Sequence, residues 1–290
     1  DCVVEMQRFD EALLLDRMAQ RGALTPALMD ALAQAIAAMH AKAPVREGGA
    51  PSLARVLTMN RSAVQESFLN DEPGCDALLV QMQDTLAQHS ALLNARASAG
   101  KVRRCHGDLT LRNIVLLEGA PTPFDCLEFD EELATIDVLY DLGFPIMDLW
   151  RLNLGALGNS LFNRYLDRTD ETDGLSLMPL FIAMRAIVRA HVAANMAQDN
   201  PQMSKEARSY FELVRKALKP GPPALFAIGG LSGSGKSTLA ATLAPMIAPM
   251  PGARILSSDR IRKALFGAPA NTRLPLEAYT SDISARVYAL

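Results

Sequence analysis

The chain has 290 residues, 49% of them hydrophobic, and a formal net charge of −3. That length and apolar content predict two domains with substantial cores, and the weakly acidic balance excludes a global field that would gather nucleic acid or an anionic membrane. No apolar run reaches the roughly 18 residues a bilayer span requires.

Residues 1–8 read as a single strand, and the pattern from there to about residue 97 is helical. Thr25-Pro26 predicts a helix start, an N-cap followed by proline at the first position, with the helix running to Lys42. From Asp76 to Arg96 the residues Leu78, Leu79, Met82, Leu86, Leu92 and Leu93 recur at helical spacing and predict one long amphipathic helix. Short strands are predicted over 102–105, 114–117 and 123–126, and helices over 134–218. Lys219-Pro220-Gly221-Pro222-Pro223 then forms a stiff linker that no helix or central strand could contain. Beyond it, apolar runs at 224–228 and 253–257 predict two buried strands. The expected fold is α/β and multi-domain: a mainly helical unit over 1–218, the linker 219–223, and an α/β unit over 224–290. The chain opens on Asp1 and stops within a predicted helix, so it reads as a fragment of a longer protein. Cys2, Cys75, Cys105 and Cys126 show no C-x-x-C spacing and predict reduced thiols in a cytoplasmic protein. His40, His89, His106 and His191 are too scattered to predict a zinc site.

Within the first unit, Cys105-His106-Gly107-Asp108-Leu109-Thr110-Leu111-Arg112-Asn113 is followed by Thr122-Pro123-Phe124-Asp125. An aspartate, an asparagine five residues on and a second aspartate beyond a hairpin form a phosphoryl-transfer layout. In it the first carboxylate orients and deprotonates a hydroxyl, while the other two groups hold Mg²⁺ against ATP phosphates. These residues resemble the aminoglycoside phosphotransferase family, relatives of the protein kinases in which H-G-D replaces H-R-D. The resemblance implies a kinase-like C-lobe with Asp108 as catalytic base and Asn113 and Asp125 as Mg²⁺ ligands. It further implies a structural role for Asp141, in the segment Tyr140-Asp141-Leu142, and a bracing role for His106. The family's ATP-binding N-lobe would be represented only by its last strand. Glu5 stands there where a lysine is expected, and Arg8 is the nearest cation. An active kinase and a degenerate pseudokinase both remain open for this unit.

In the second unit, Gly230-Leu231-Ser232-Gly233-Ser234-Gly235-Lys236-Ser237 matches G-x-x-x-x-G-K-[ST], with Thr238 opening a helix behind it. Glycines let successive N–H groups point at phosphate oxygens, and the helix N-terminus adds partial positive charge. Lys236 would reach the β- and γ-phosphates and the Ser237 hydroxyl would sit on Mg²⁺. Downstream, Ser258-Asp259-Arg260-Ile261-Arg262 follows the second predicted strand, at the end where α/β folds bind ligands. There Asp259 is a candidate base and Arg262 a candidate anion clamp; Asp259 as N-cap of the helix through Leu265 is the rival reading. This D-x-x-R placement resembles P-loop small-molecule and polynucleotide kinases, including gluconate-kinase-like and chloramphenicol-phosphotransferase-like proteins. Arg273, Tyr279 and Arg286 read as a solvated helix face, with substrate contact the alternative. No Walker B-type strand or arginine-bearing lid occurs before Leu290, so Mg²⁺ would rest on Ser237 and water, and weak nucleotide binding is expected.

Together the two halves resemble one bacterial fusion family: an aminoglycoside phosphotransferase-like domain followed by a P-loop kinase of the AAA type. The expectation is an ATP-dependent phosphotransferase using Mg²⁺ on a small hydroxylated acceptor. A regulatory ATP-binding protein with a pseudokinase first unit is one alternative. A nucleic-acid end kinase is another, opposed by the net charge and by the lack of a basic stripe interleaved with aromatics. No membrane partner is expected, and the oligomeric state is open.

Overall fold

A computed structural model describes residues 9–169, 171–197, 200–222, 224–231, 233–247, 249–268 and 272–289; the strand expected over 1–8, with Glu5 and Arg8, lies outside them. The chain is mostly helical. After the short α1 (Leu15–Gln20), α2 (Pro26–Lys42) begins as the sequence predicts: the Thr25 Oγ1 accepts the Leu28 N–H at 3.2 Å. Arg103 closes its other end, donating to the carbonyls of His40, Ala41 and Ala43 at 2.9, 3.1 and 3.3 Å, acceptors that a helix C-terminus otherwise leaves open.

After α3 (Ala50–Gln65), the single helix expected over 76–96 is two, α4 (Cys75–Gln88) and α5 (Ser90–Ser98). His89, at φ −96° and ψ 4°, ends one and starts the other. Leu86 and Leu93 are both buried, and Arg96 is 1% exposed.

Three short strands follow, β1 (Val102–Arg104), β2 (Ile114–Leu117) and β3 (Ala120–Pro123). The last begins earlier than the expected 123–126. Glu118 and Gly119, both at positive φ (50° and 81°), close a two-residue hairpin turn directly after β2. Asp125 therefore lies beyond the strand, at φ 57°, a conformation aspartate tolerates better than most residues. Next come α6 (Glu131–Ala134) and β4 (Thr135–Asp137), a strand the sequence pattern did not disclose. It pairs antiparallel with β1, Val102 opposite Asp137.

The helical body is completed by α7 (Val138–Arg151), α8 (Gly155–Leu166), α9 (Met178–Asn195) and α10 (Pro201–Ala217). Every residue of α7 from Val138 to Leu149 is buried, as in a central helix that is apolar apart from Asp141 and Asp148. It packs on α8 and α9, with α2 against α8 and α10 against α9. The stretch Thr172–Asn195 is long and apolar enough to cross a membrane by length and composition, but most of it is buried in this core.

Beyond the linker lie α11 (Lys236–Leu243), α12 (Ser258–Leu265) and α13 (Ser281–Ala289). The two strands expected at 224–228 and 253–257 do not form: no described residue there is in a strand, and Leu225 is 94% exposed. A parallel strand needs paired neighbours and covered faces, and the described residues of this unit provide none. The α/β expectation for 224–290 is thus corrected to helices and loops. The second segment lies instead on α8. Asn163 Oδ1 accepts the Ile255 N–H at 2.7 Å, and Asn159 Nδ2 donates to the Pro251 and Ala253 carbonyls at 3.0 and 3.1 Å. Asp167 adds ion pairs to Arg254 and Arg260 at 2.7 and 2.8 Å.

Candidate active site and phosphate loop

The loop between β1 and β2 carries His106, Gly107, Asp108 and Asn113, and buried groups hold it from below. Gly107 has φ 82°, and a Cβ there would stand 2.9 Å from the Leu127 Cβ, so only glycine fits. Asp141, fully buried on α7, accepts the N–H groups of His106 and Gly107 at 3.2 and 3.0 Å. His40 Nε2 donates to the same carboxylate at 3.1 Å, and His40 Nδ1 is hydrogen-bonded to the Tyr165 hydroxyl at 2.9 Å. Burial opposes the Asp141 charge, but the hydrogen bond and charge of His40, with Arg185 and His106, outweigh it and hold this carboxyl below its ordinary range. His106 Nε2 donates to the Phe124 carbonyl at 2.8 Å, tying the loop to the segment that carries Asp125. Through these contacts Asp141 and His106 brace the loop from below.

Above this support, Asp108 is partly exposed, and its carboxylate accepts from Asn113 Nδ2 at 2.8 Å and from Arg112 at 3.2 Å. Asn113 is held by a second bond, Nδ2 to the Asp108 carbonyl at 2.9 Å. The Phe124 N–H donates to the Asn113 carbonyl at 3.0 Å, which brings the exposed Asp125 next to it. Asp108 and Asn113 thus touch on the loop, and Asp125 follows directly on the backbone bond between Phe124 and Asn113. A carboxylate and an amide oxygen are the hard oxygen donors that Mg²⁺ prefers, so the donor set fits that ion.

Sequence reasoning missed the groups flanking Asp108. Asp148, one face of α7 further on, accepts the Leu111 N–H at 3.0 Å. Arg151 on α7 and Arg189 on α9 both face the ring of Tyr210 on α10. The available signal was Arg151 at the end of a largely apolar α7 that also carries Asp148, and Arg189 as the second arginine of a largely apolar α9. His40, Cys105 and Asp141 also cluster, with ligand atoms within 4.8 Å of one another. Both nitrogens of His40 are already bonded, and burial pushes the Cys105 thiol far above its ordinary value. The cluster is a brace for the loop, with no thiolate to offer a metal.

In the phosphate loop, Gly230, Gly233 and Gly235 have φ of 151°, 77° and 85°, values that admit glycine and strain other residues. Gly235 caps α11 without a side-chain bond, so the helix N-terminus is open toward the loop. Lys236 Nζ donates to the Gly230 and Leu231 carbonyls at 2.8 and 2.6 Å. Gly233, Ser234, Ser237 and Thr238 are exposed, whereas Ser232 lies outside the described residues. The D-x-x-R pair is not brought together. Asp259 pairs with Lys263 at 2.8 Å, while Arg262 is buried and donates to the Ala278 carbonyl at 2.6 Å. The helix cap is Ser257, whose hydroxyl accepts the Arg260 N–H at 3.4 Å, in place of Asp259. Tyr279 lies against the Arg262 guanidinium, and Arg273 and Arg286 are exposed. The Asp108 and Lys236 sites lie in different units of the chain.

A family model described as "Phosphotransferase enzyme family" matches residues 3–177, and one described as "AAA domain" matches residues 225–290. Among curated relatives, the chain is 29% identical over 271 residues to "Uncharacterized protein Rv2004c" of Mycobacterium tuberculosis (strain ATCC 25618 / H37Rv). The same identity and length hold for "Uncharacterized protein Mb2027c" of Mycobacterium bovis. Each match takes in 91% of this chain and 54% of the relative, so the chain spans about half the length of the curated relatives it matches. No solved structure gives a significant match.

Proposed function

We propose, from the premise that the chain belongs to the phosphotransferase enzyme family over residues 3–177, that it is an ATP-dependent kinase acting on a small hydroxylated molecule. The observation that carries this reading is the pairing of Asp108 with Asn113 on a loop held by Asp141, with Asp125 one residue beyond Phe124, whose N–H is bonded to Asn113. Asp108 takes the proton of the acceptor hydroxyl. Asn113 and Asp125 hold Mg²⁺, which neutralises charge on the nucleotide phosphates. The Asn113 bond to Asp108 Oδ2 keeps the base aimed while leaving its other oxygen for the acceptor. The second unit supplies a nucleotide site at residues 230–238, where Lys236 exchanges its two carbonyl partners for phosphate oxygens. The setting is cytoplasmic, matching the unpaired thiols of Cys75, Cys105 and Cys126.

One observation favours a second reading, a regulatory nucleotide-binding protein: the 251–260 segment is clamped on α8 by Asn159, Asn163 and Asp167. Calorimetry with Mg·ATP separates the two. Under the first reading, Lys236→Ala and Asp125→Asn each remove a distinct binding event, and Asp108→Asn lowers phosphoryl transfer about 10²–10⁴-fold without changing nucleotide affinity. Loss of all binding in Lys236→Ala alone, with Asp125→Asn unchanged, supports the regulatory reading and refutes the first.

A further inference from the structure

The acceptor side of Asp108 is more positive than its local sequence suggests. Asp148 binds the Leu111 N–H at 3.0 Å, so the C-terminal turn of α7 lies directly beneath the loop. From that turn the Arg151 guanidinium stands 4.7 Å from the Tyr210 ring centre, and Arg189 reaches within 5.8 Å of the same ring. Both arginines are half-buried, and the Nε of each is buried without an acceptor among the described residues. Asp108 and Asp148 both act on Arg189 electrostatically; burial opposes its charge, and Tyr210 with these carboxylates outweighs burial and keeps it charged. Burial pushes the Asp148 carboxyl up, against the pull of the Leu111 N–H and of Arg151 and Arg189. Arg112, 3.2 Å from Asp108, is a third cation. Among the described residues neither the Arg151 nor the Arg189 guanidinium has a carboxylate at ion-pair distance; two such groups sharing one ring repel each other at reduced solvation, and a bound anion is the group that relieves this.

We propose that the acceptor at Asp108 is an anionic hydroxyl compound, its phosphate or carboxylate seated between Arg151 and Arg189 and its hydroxyl presented to Asp108. The inference rests on the reading of Asp108 as base. In the transfer, the hydroxyl proton passes to Asp108 and a bond forms from the acceptor oxygen to the γ-phosphorus. The bond from that phosphorus to the β,γ-bridging oxygen breaks, and ADP leaves. Polycationic acceptors are repelled by the same arginines.

The test uses the Lys236→Ala chain, so that the phosphate loop takes up no anion, and calorimetry with four matched probes: glycerol 3-phosphate, glycerate, glycerol and ethanolamine. Expected is saturable binding of the phosphate or the carboxylate probe, at least about tenfold tighter than glycerol, with ethanolamine weakest; which anion binds better identifies the group. Arg189→Gln and Arg151→Gln are expected to weaken that binding roughly tenfold to a hundredfold, and Arg189→Lys to recover part of it. Circular dichroism melts verify that each variant folds. Anion binding no tighter than that of glycerol, or undiminished in both folded Gln variants, overturns the proposal. The base is judged separately. Asp108→Asn leaves anion binding intact and removes ADP release. Persistent ADP release refutes the role of Asp108 while the anion site stands.

Discussion

A single buried carboxylate carries the geometry of the candidate site. Asp141 receives two loop N–H groups and the His40 ring, so its ionised form is the bonded form. Its carboxyl is held below the ordinary aspartate value of about 3.9. The stability it contributes is therefore fully present above about pH 4 and is lost as pH falls through its folded value. Asp141→Asn is expected to lower the urea midpoint at pH 7, since an amide cannot accept from all three donors. It is also expected to flatten the loss of stability below about pH 4, measured by urea titrations across pH 2.5–7. An acid limb as steep as that of the parent chain would refute this assignment. At this scale much was legible: the spacing of Asp108, Asn113, Asp125 and Asp141 along the chain is itself the chemical pattern. Arg151, Arg189 and Tyr210 were illegible because they lie on three helices, and only packing brings them to one point.

At the scale of elements, local rules worked where local forces decide. Thr25-Pro26 started α2 because capping and proline geometry act within one turn. The Glu118-Gly119 turn shifted β3 because a two-residue hairpin fixes register more strongly than apolar content does. The apolar run at 224–228 reads as a buried strand, yet burial is a property of neighbours, and Phe226 remains 61% exposed. The join between α5, β4 and the residues before α9 is another non-local feature. Arg96, with no exposed side-chain surface, donates to Asp137 at 2.8 and 2.9 Å and to Glu171 at 2.6 Å. Lys101 pairs with Glu171 at 3.0 Å from the other side. Removing the guanidinium leaves buried carboxylates without their main partner, a loss of about 3–5 kcal/mol. Arg96→Met is expected to show that loss in urea denaturation, with Arg96→Lys intermediate because it cannot reach both carboxylates bidentately. A loss below about 1 kcal/mol would mean the network is dispensable.

For the whole molecule, the decisive feature is how the two matched regions meet. The segment 251–255 is held by the side-chain amides of Asn159 and Asn163, which supply donors and acceptors as a neighbouring strand would. Asp167 fastens Arg254 and Arg260 beside them, at the end of α8. The helical body has a continuous core from α2 to α10, which Met250 beside the clamp joins, whereas none of the residues of α11 is buried. Opening the clamp uncovers Met250 and Ala244 but no buried residue of α11, and sub-global opening below the free energy of global unfolding is the physical consequence. Asp167→Ala with Asn163→Ala is expected to raise amide exchange across 236–265 at least tenfold, while exchange in α7 and α9 keeps its rate. Because the clamp touches neither Asp108 nor Lys236, the double variant also tests whether the units communicate. If nucleotide at the phosphate loop no longer slows exchange in α8 once the clamp is cut, the clamp is the path between them. If the protection of α8 survives, the two regions are coupled by other contacts and the clamp is only a tether.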